Sequence, residues 1–257
     1  MCLAIVVAAP SKSYLFKSRL LEGLIISRPN RFIMMVELDG RVVRCHCPST
    51  GRIGDIKFEN IPCLLSRPEK SSGSIPRKTA YTVEAISLDP PSRKRKTWIG
   101  INQNRANDYV WFFLKTGQLP LLASRGAPLE REVRLGHSRI DFSSGNTFIE
   151  VKTPLIWLPS AEGLRYQRHG PFHSFDRLIR HFTDLARIVR KGSRAIVMLC
   201  YLYDAKPFQP PPPDKSSGKI QRAVRAATTK GVENWQINLR IDGHGIDLIR
   251  YFRLKPF

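Results

Sequence analysis

Acidic residues are scarce in this sequence. Only 21 Asp and Glu stand against 42 Lys and Arg, a formal net charge of +21 at pH 7. Such a deficit says little about fold and much about partners, because a surface of one sign attracts polyanions. The partner expected is DNA, with RNA as an alternative and an anionic membrane surface further behind. Cysteine is sparse too. Cys2, Cys45, Cys47, Cys63 and Cys200 form an odd set without framework spacing, which argues against a disulfide scaffold and for a reducing compartment. No stretch is long and apolar enough to span a bilayer, and residues 1–9 form a short apolar run without a basic flank. Neither a membrane span nor a signal peptide is expected, and the chain reads as cytoplasmic. Also missing are a phosphate-binding Gly-rich loop and a Gly-x-Ser-x-Gly elbow, which removes nucleoside triphosphatase and serine hydrolase chemistry. No internal repeat is evident, and nothing in the pattern sets an oligomeric state.

What is there is enough apolar residue for real cores: 42% of 257 residues. That length suits two modest domains, with a division expected at 1–90 and 91–257 near the basic Pro90–Lys96 loop. The first part reads as all-β. Short β-branched or alternating runs at 23–27, 31–38, 41–47, 61–65 and 81–88 are separated by turns, and Asp39-Gly40 is a hairpin signal. About five such strands fit a small barrel of the oligonucleotide-binding kind, and other small barrels equally. Cys45-His46-Cys47 puts both thiols on one strand face, but no second pair completes a zinc site, so these read as strand residues. The second part mixes elements: a helix over 106–114 ended by Gly117, strands at 132–135, 139–143 and 147–153, a long helix over 175–191, an apolar strand over 195–202 and a basic helix over 218–230. This order describes an α/β core with a mixed sheet.

The chemistry concentrates in Ser138-Arg139-Ile140-Asp141-Phe142 and Ile149-Glu150-Val151-Lys152. Alternation is expected to place Ile140 and Phe142 on one face and to present Asp141, Glu150 and Lys152 on adjacent strands. Two carboxylates beside an ammonium suit a hard cation, Mg2+ or Mn2+, held by Asp141 and Glu150 next to a phosphate. Lys152 is then placed to orient or deprotonate a water and to offset transition-state charge. Glu132 is expected to add a third carboxylate, to hold a basic neighbour, or to serve only as core-edge structure. Asp176 opens the long helix, where capping accounts for it and metal contact is the auxiliary reading. Among the histidines, the spacing of His169, His173 and His181 suggests a metal cluster, yet the carboxylate pair is the better site for a hard metal, and His46 and His137 read as structural. Arg31, Arg52, Arg139, Arg177 and Arg180 are the expected nucleic-acid contacts.

In order along the chain, these residues resemble the sugar fermentation stimulation protein A family. The resemblance rests on Asn30-Arg31-Phe32, Val36-Glu37-Leu38-Asp39-Gly40, His46-Cys47-Pro48-Ser49-Thr50-Gly51-Arg52, Gly100-Ile101-Asn102 with Asn107, and Arg131-Glu132-Val133. The two segments with Asp141 and Glu150-Val151-Lys152, and Asp204-Ala205-Lys206-Pro207-Phe208, complete it. It implies an oligonucleotide-binding barrel followed by a PD-(D/E)xK nuclease-like domain, with Asp141, Glu150 and Lys152 at the nuclease positions. It also implies DNA binding and a role in regulating sugar-utilisation genes. Asp176-Arg177 and His181 stand where the family reads Glu-Arg-Gly-Arg-Lys-His, with Asp for Glu and Leu178 for Gly. Ser49 replaces an Asn, and residues 154–173 depart from the family pattern. The leading expectation is a metal-dependent nuclease; the alternatives are a non-catalytic DNA-binding regulator and an RNA-binding barrel protein.

Overall fold

The computed structural model describes residues 6–7, 12–49, 53, 56–67, 78–123, 126–136, 138–166, 175–210 and 217–255. Arg52, His137, His169, His173 and residues 68–77 lie outside the described residues. So do the side chains of Asp176 and Arg177.

Strands β1 (Val6–Val7) and β2 (Tyr14–Leu15) are followed by β3 (Leu21–Asn30), β4 (Ile33–Leu38), β5 (Arg41–His46), β6 (Ile61–Ser66), β7 (Tyr81–Ile86) and β8 (Ile99–Gly100). The order β5-β4-β3-β6-β7 closes through a parallel β5–β7 pairing, giving a five-stranded barrel with β8 added beside β7. Closure pairs the strand edges that an open sheet would leave bare. The expected hairpin is present: Leu38 pairs with Arg41 across Asp39 and Gly40, whose φ values of 51° and 73° match a turn that needs positive φ at both central residues. Met34, Val36 and Leu38 alternate inward from β4, and Cys45, Cys47 and Cys63 are buried free thiols in the same core. Burial pushes the Cys45 thiol up to about 11.

A 3-10 turn (Gln103–Arg105) leads into α1 (Ala106–Lys115), then β9 (Leu129–Leu135), β10 (Ser138–Ser144), β11 (Thr147–Lys152) and a hairpin of β12 (Trp157–Ser160) and β13 (Gly163–Tyr166). The chain continues through α2 (Phe175–Val189), β14 (Arg194–Tyr201), α3 (Ser217–Thr229), β15 (Glu233–Ile241) and β16 (Gly245–Arg253). In α1, Ala106, Tyr109, Val110, Phe113 and Leu114 are buried at helical spacing. The helix stops at Gly117, whose φ of 72° lets its N–H and that of Gln118 return to the carbonyls of Leu114 and Phe113.

The second sheet runs β1-β16-β15-β14-β11-β10-β9 with β2 beside β16; β11, β14 and β15 are parallel and the other pairings antiparallel. Its two faces carry separate cores. Tyr109 and Phe113 of α1 pack with Phe142, Ile149, Val151, Ile196 and Met198. Phe182, Leu185 and Ala186 of α2, with Val224 and Ala227 of α3, pack with Ile140, Ala195 and Val197. Coverage on both faces explains why 195–202 reads as a continuous apolar run.

Sheet membership does not follow a division at 90–91. The pairing of β8 with β7 lies beyond that point, whereas β1 and β2, well before it, extend the second sheet. The two parts also share a core: Leu155, Leu158, Tyr201 and Tyr203 pack into the barrel cluster. At the seam, Gly100 N–H donates to Leu202 O at 2.9 Å. A Cβ on Gly100 would lie 2.5 Å from Leu202 Cβ, so only glycine permits this approach.

Candidate active site

The β10–β11 ladder pairs Ser144 with Thr147, Ser143 with Phe148 and Phe142 with Ile149, and then stops. Beyond Phe142 the two strands fork. β10 stays with β9 as far as Ser138, while β11 continues along β14 to Lys152. Asp141 sits at the fork, and its carboxylate takes the role of the missing ladder acceptor: Val151 N–H donates to Asp141 Oδ2 at 2.7 Å. The expected alternation fails at this point. Ile140 and Phe142 do not share a core; Ile140 packs under α2 and α3, and Phe142 under α1. The strand turns over at Asp141, where the β9 ladder skips the residue opposite, Glu132, which has a φ of 53°.

Each face of the fork is closed by a helix. From α1, Asn107 Nδ2 donates to Asp141 Oδ1 at 2.8 Å. One turn on, Trp111 stacks against Phe142 with ring centroids 5.8 Å apart, which fixes α1 over β10. From α2, His181 Nδ1 meets Glu150 Oε1, and Lys152 Nζ meets the same oxygen. A proton on His181 Nδ1 is the tautomer that fits an ionised Glu150. Glu150 and His181 are both buried, and Lys152 is partly exposed.

The two carboxyls are pushed in opposite directions. Burial, together with the nearby charge of Glu150, raises the Asp141 pKa above its ordinary value, against the pull of Val151 N–H, Asn107 and Lys152. Glu150 is also opposed by burial, but hydrogen bonds from His181 and Lys152 outweigh that burial and hold it below its ordinary value. Its other oxygen, Oε2, is buried without a hydrogen-bond partner. An unsatisfied carboxylate oxygen in that setting is costly unless something positive meets it.

The remaining expected residues are placed as follows. Glu132 is exposed and pairs with Arg139 at 3.0 Å. Asp176 lies in the first turn of α2. Arg180 is exposed on α2, and Arg31 is exposed on the barrel with its guanidinium 4.5 Å from the Phe32 ring centroid. Among the described residues, no group of three or more His, Cys, Asp or Glu is arranged to hold a metal, Cys45-His46-Cys47 included. Sequence reasoning missed the role of Asn107. It also missed another buried carboxylate, Glu84 on β7, which accepts from Asn102 Nδ2 at 2.8 Å and from Ser66 Oγ at 2.6 Å. The linker 102–107 therefore touches Glu84 at one end and Asp141 at the other.

Two family models cover this arrangement. One, described as the SfsA N-terminal OB domain, matches residues 26–101; the other, the sugar fermentation stimulation protein RE domain, matches residues 104–245. The chain belongs to the sugar fermentation stimulation protein family. A family homolog from Synechococcus sp. (strain JA-2-3B'a(2-13)) is 32% identical over 239 residues, covering 91% of this chain and 92% of the relative. One from Methylobacterium nodulans is 34% identical over 245 residues, covering 91% and 96%. The structure of Pyrococcus furiosus SfsA in complex with Ca2+ superposes with a TM-score of 0.72 at 21% identity, over 95% of this chain and 100% of that one. At that identity the likeness shows the family fold, a closed barrel followed by a mixed sheet. Asn107, Asp141, Glu150, Lys152 and His181 all fall within the second matched segment of the sugar fermentation stimulation family. No helix among the described residues is long and apolar enough to cross a membrane.

Proposed function

We propose that this chain is a DNA-binding, divalent-metal-dependent nuclease that hydrolyses a phosphodiester at the fork between β10 and β11. The observation that carries the reading is the juxtaposition there of two carboxylates, Asp141 half-buried and Glu150 buried with a bare oxygen, Oε2. Asp141 and Glu150 are the residues that would hold Mg2+ or Mn2+, with the Val151 carbonyl as a further oxygen donor. The raised Asp141 pKa and the bare Glu150 oxygen are what a cation would relieve. When bound, such an ion supplies charge neutralisation and Lewis acidity at the phosphate. The Ca2+ in the Pyrococcus furiosus relative supports a divalent ion in this family fold.

The chain's own residues do the rest. Lys152, held on Glu150, stands at the C-terminal end of β11, the end of an α/β sheet where ligands gather. There its ammonium orients the attacking water and offsets negative charge as the phosphorus–oxygen bond breaks. His181 fixes the Glu150 carboxylate, and Asn107 with Val151 N–H fixes that of Asp141. The basic excess supplies the affinity for DNA.

A second reading, a non-catalytic DNA-binding regulator, is favoured by one observation: Lys152 and His181 already satisfy Glu150 Oε1 without an ion. The deciding experiment incubates the protein with Mg2+ or Mn2+ and single- or double-stranded DNA. Cleavage abolished by Asp141→Ala, with binding retained, is the expected result. DNA bound but left uncut by the unaltered protein would instead leave the regulator. Added Mg2+ should also raise Tm, by about 2.7 kcal/mol of stability at a hundredfold excess over Kd, and Asp141→Ala should remove that rise.

A further inference from the structure

Helix α3 carries a stretch of uncompensated positive charge. Between Lys215 and Lys230 the sequence has Lys215, Lys219, Arg222, Arg225 and Lys230 and no Asp or Glu. The helix buries Val224 and Ala227 against α2 and the sheet. That leaves Lys219, Arg222 and Arg225, spaced three apart, exposed on its outer side. Among the described residues none of these three is in an ion pair. Compare Arg187 on α2, which is matched by Asp184 at 2.8 Å. Repulsion along such a face destabilises the isolated helix slightly, so folding alone does not account for it.

Its placement gives the charge a use. Both β11–β14 and β14–β15 are parallel, so α2 and α3 are crossover helices that run back along the sheet. Their first turns therefore lie at the end of the sheet where β11 delivers Lys152. They also cover the sheet face from which His181 reaches Glu150. Exposed Arg180, near the start of α2, widens the same basic layer.

We infer that the outer face of α3 docks the phosphate backbone of a DNA duplex flanking the scissile bond, through Lys219, Arg222 and Arg225. This rests on the nucleic-acid reading above and adds a second contact surface, separate from both the barrel and the fork. Phosphate contacts of this kind position a duplex without reading its sequence.

The test measures binding of a duplex DNA of arbitrary sequence across a salt series, without divalent ion. The unaltered protein is compared with the triple variant Lys219→Gln, Arg222→Gln, Arg225→Gln. Each lost phosphate contact lowers the slope of log affinity against log salt by about 0.9, so the slope should become shallower by roughly 2–3. A control neutralises three basic residues that are already paired, Lys57, Arg187 and Arg240, for the same change in net charge. Its slope should move by well under one such step. An unchanged Tm in the triple variant shows that the fold is kept. Equal slopes for the triple variant and the unaltered protein overturn the inference, as does α3-dependent binding to anionic vesicles but not to duplex. Failure of cleavage with an α3-dependent slope would instead remove only the nuclease reading.

Discussion

Asn107 Nδ2 donates to Asp141 Oδ1 at 2.8 Å, so the helix that leaves the barrel holds the first carboxylate of the fork. Removing that donor from a charged acceptor should matter more than removing a neutral hydrogen bond. Asn107→Ala is expected to lower cleavage roughly 10- to 100-fold, matching about 1.5–3 kcal/mol for a hydrogen bond to an ionised group. Because Asn107 holds the Asp141 pKa down, its loss should also move the acid limb of the pH–rate profile to higher pH. A drop in Tm with no movement of that limb would mean Asn107 serves packing alone.

Asp141→Asn separates chemistry from stability. Burial raises the folded pKa of Asp141 above its ordinary value of 3.8. The stability tied to such a group is full below the unfolded pKa and is lost as pH rises through the folded pKa. The amide stays neutral and can still accept from Val151 N–H. Thermal melts should therefore show the variant gaining on the unaltered protein as pH rises above about 4 and through the raised pKa, while cleavage vanishes. A Tm difference that stays constant or widens against the variant as pH rises would contradict this.

His181 and Glu150 make the opposite case. The Glu150 pKa lies below its ordinary value of 4.5 because hydrogen bonds from His181 and Lys152 outweigh burial. Its contribution is present above the unfolded pKa and is lost as pH falls through the lowered folded pKa. His181→Ala removes one donor from a buried charge and should cost about 2 kcal/mol at neutral pH. The acid-unfolding curve should shift to higher pH as Glu150 recovers towards its ordinary range. Urea midpoints and acid titration of the variant read both effects.

Gly100 tests the seam. Its N–H donates to Leu202 O at 2.9 Å, and a Cβ would fall 2.5 Å from Leu202 Cβ. Gly100→Ala must push β8 from the strand end at Leu202, an overpacking expected to cost about 1–3 kcal/mol. Equilibrium unfolding measures it, and a loss under 0.5 kcal/mol by the same scale would show that the seam yields easily.

Local pattern carried much of the fold. Five barrel strands, α1, the β10–β11 pair, α2 and β14 were legible because their apolar residues repeat at strand or helix spacing and their turns use Asp39-Gly40, Gly117 and Gly145. β15 was overlooked although it alternates strictly, with Trp235, Ile237, Leu239 and Ile241 against Asn234, Gln236 and Asn238. Its polar residues look like solvent-facing positions. In the fold, Gln236 and Asn238 are fully buried, bonded to the carbonyls of Lys206 and Ala205. The β12–β13 hairpin and the short β1 and β2 were also missed, being too brief for periodicity to register.

By itself, then, the sequence determined which residues make up the candidate site and which elements carry them, because Asp141, Glu150 and Lys152 sit on short strands whose pairing is local. Only the tertiary structure decided how those groups are held. Asn107, His181 and Val151 N–H meet the carboxylates through the stacking of α1 and α2 on opposite faces of one sheet, across separations in the chain that no local pattern encodes. The forking of β10 from β11 likewise depends on the whole sheet, because a strand's own residues set its alternation but its neighbours set where a ladder ends.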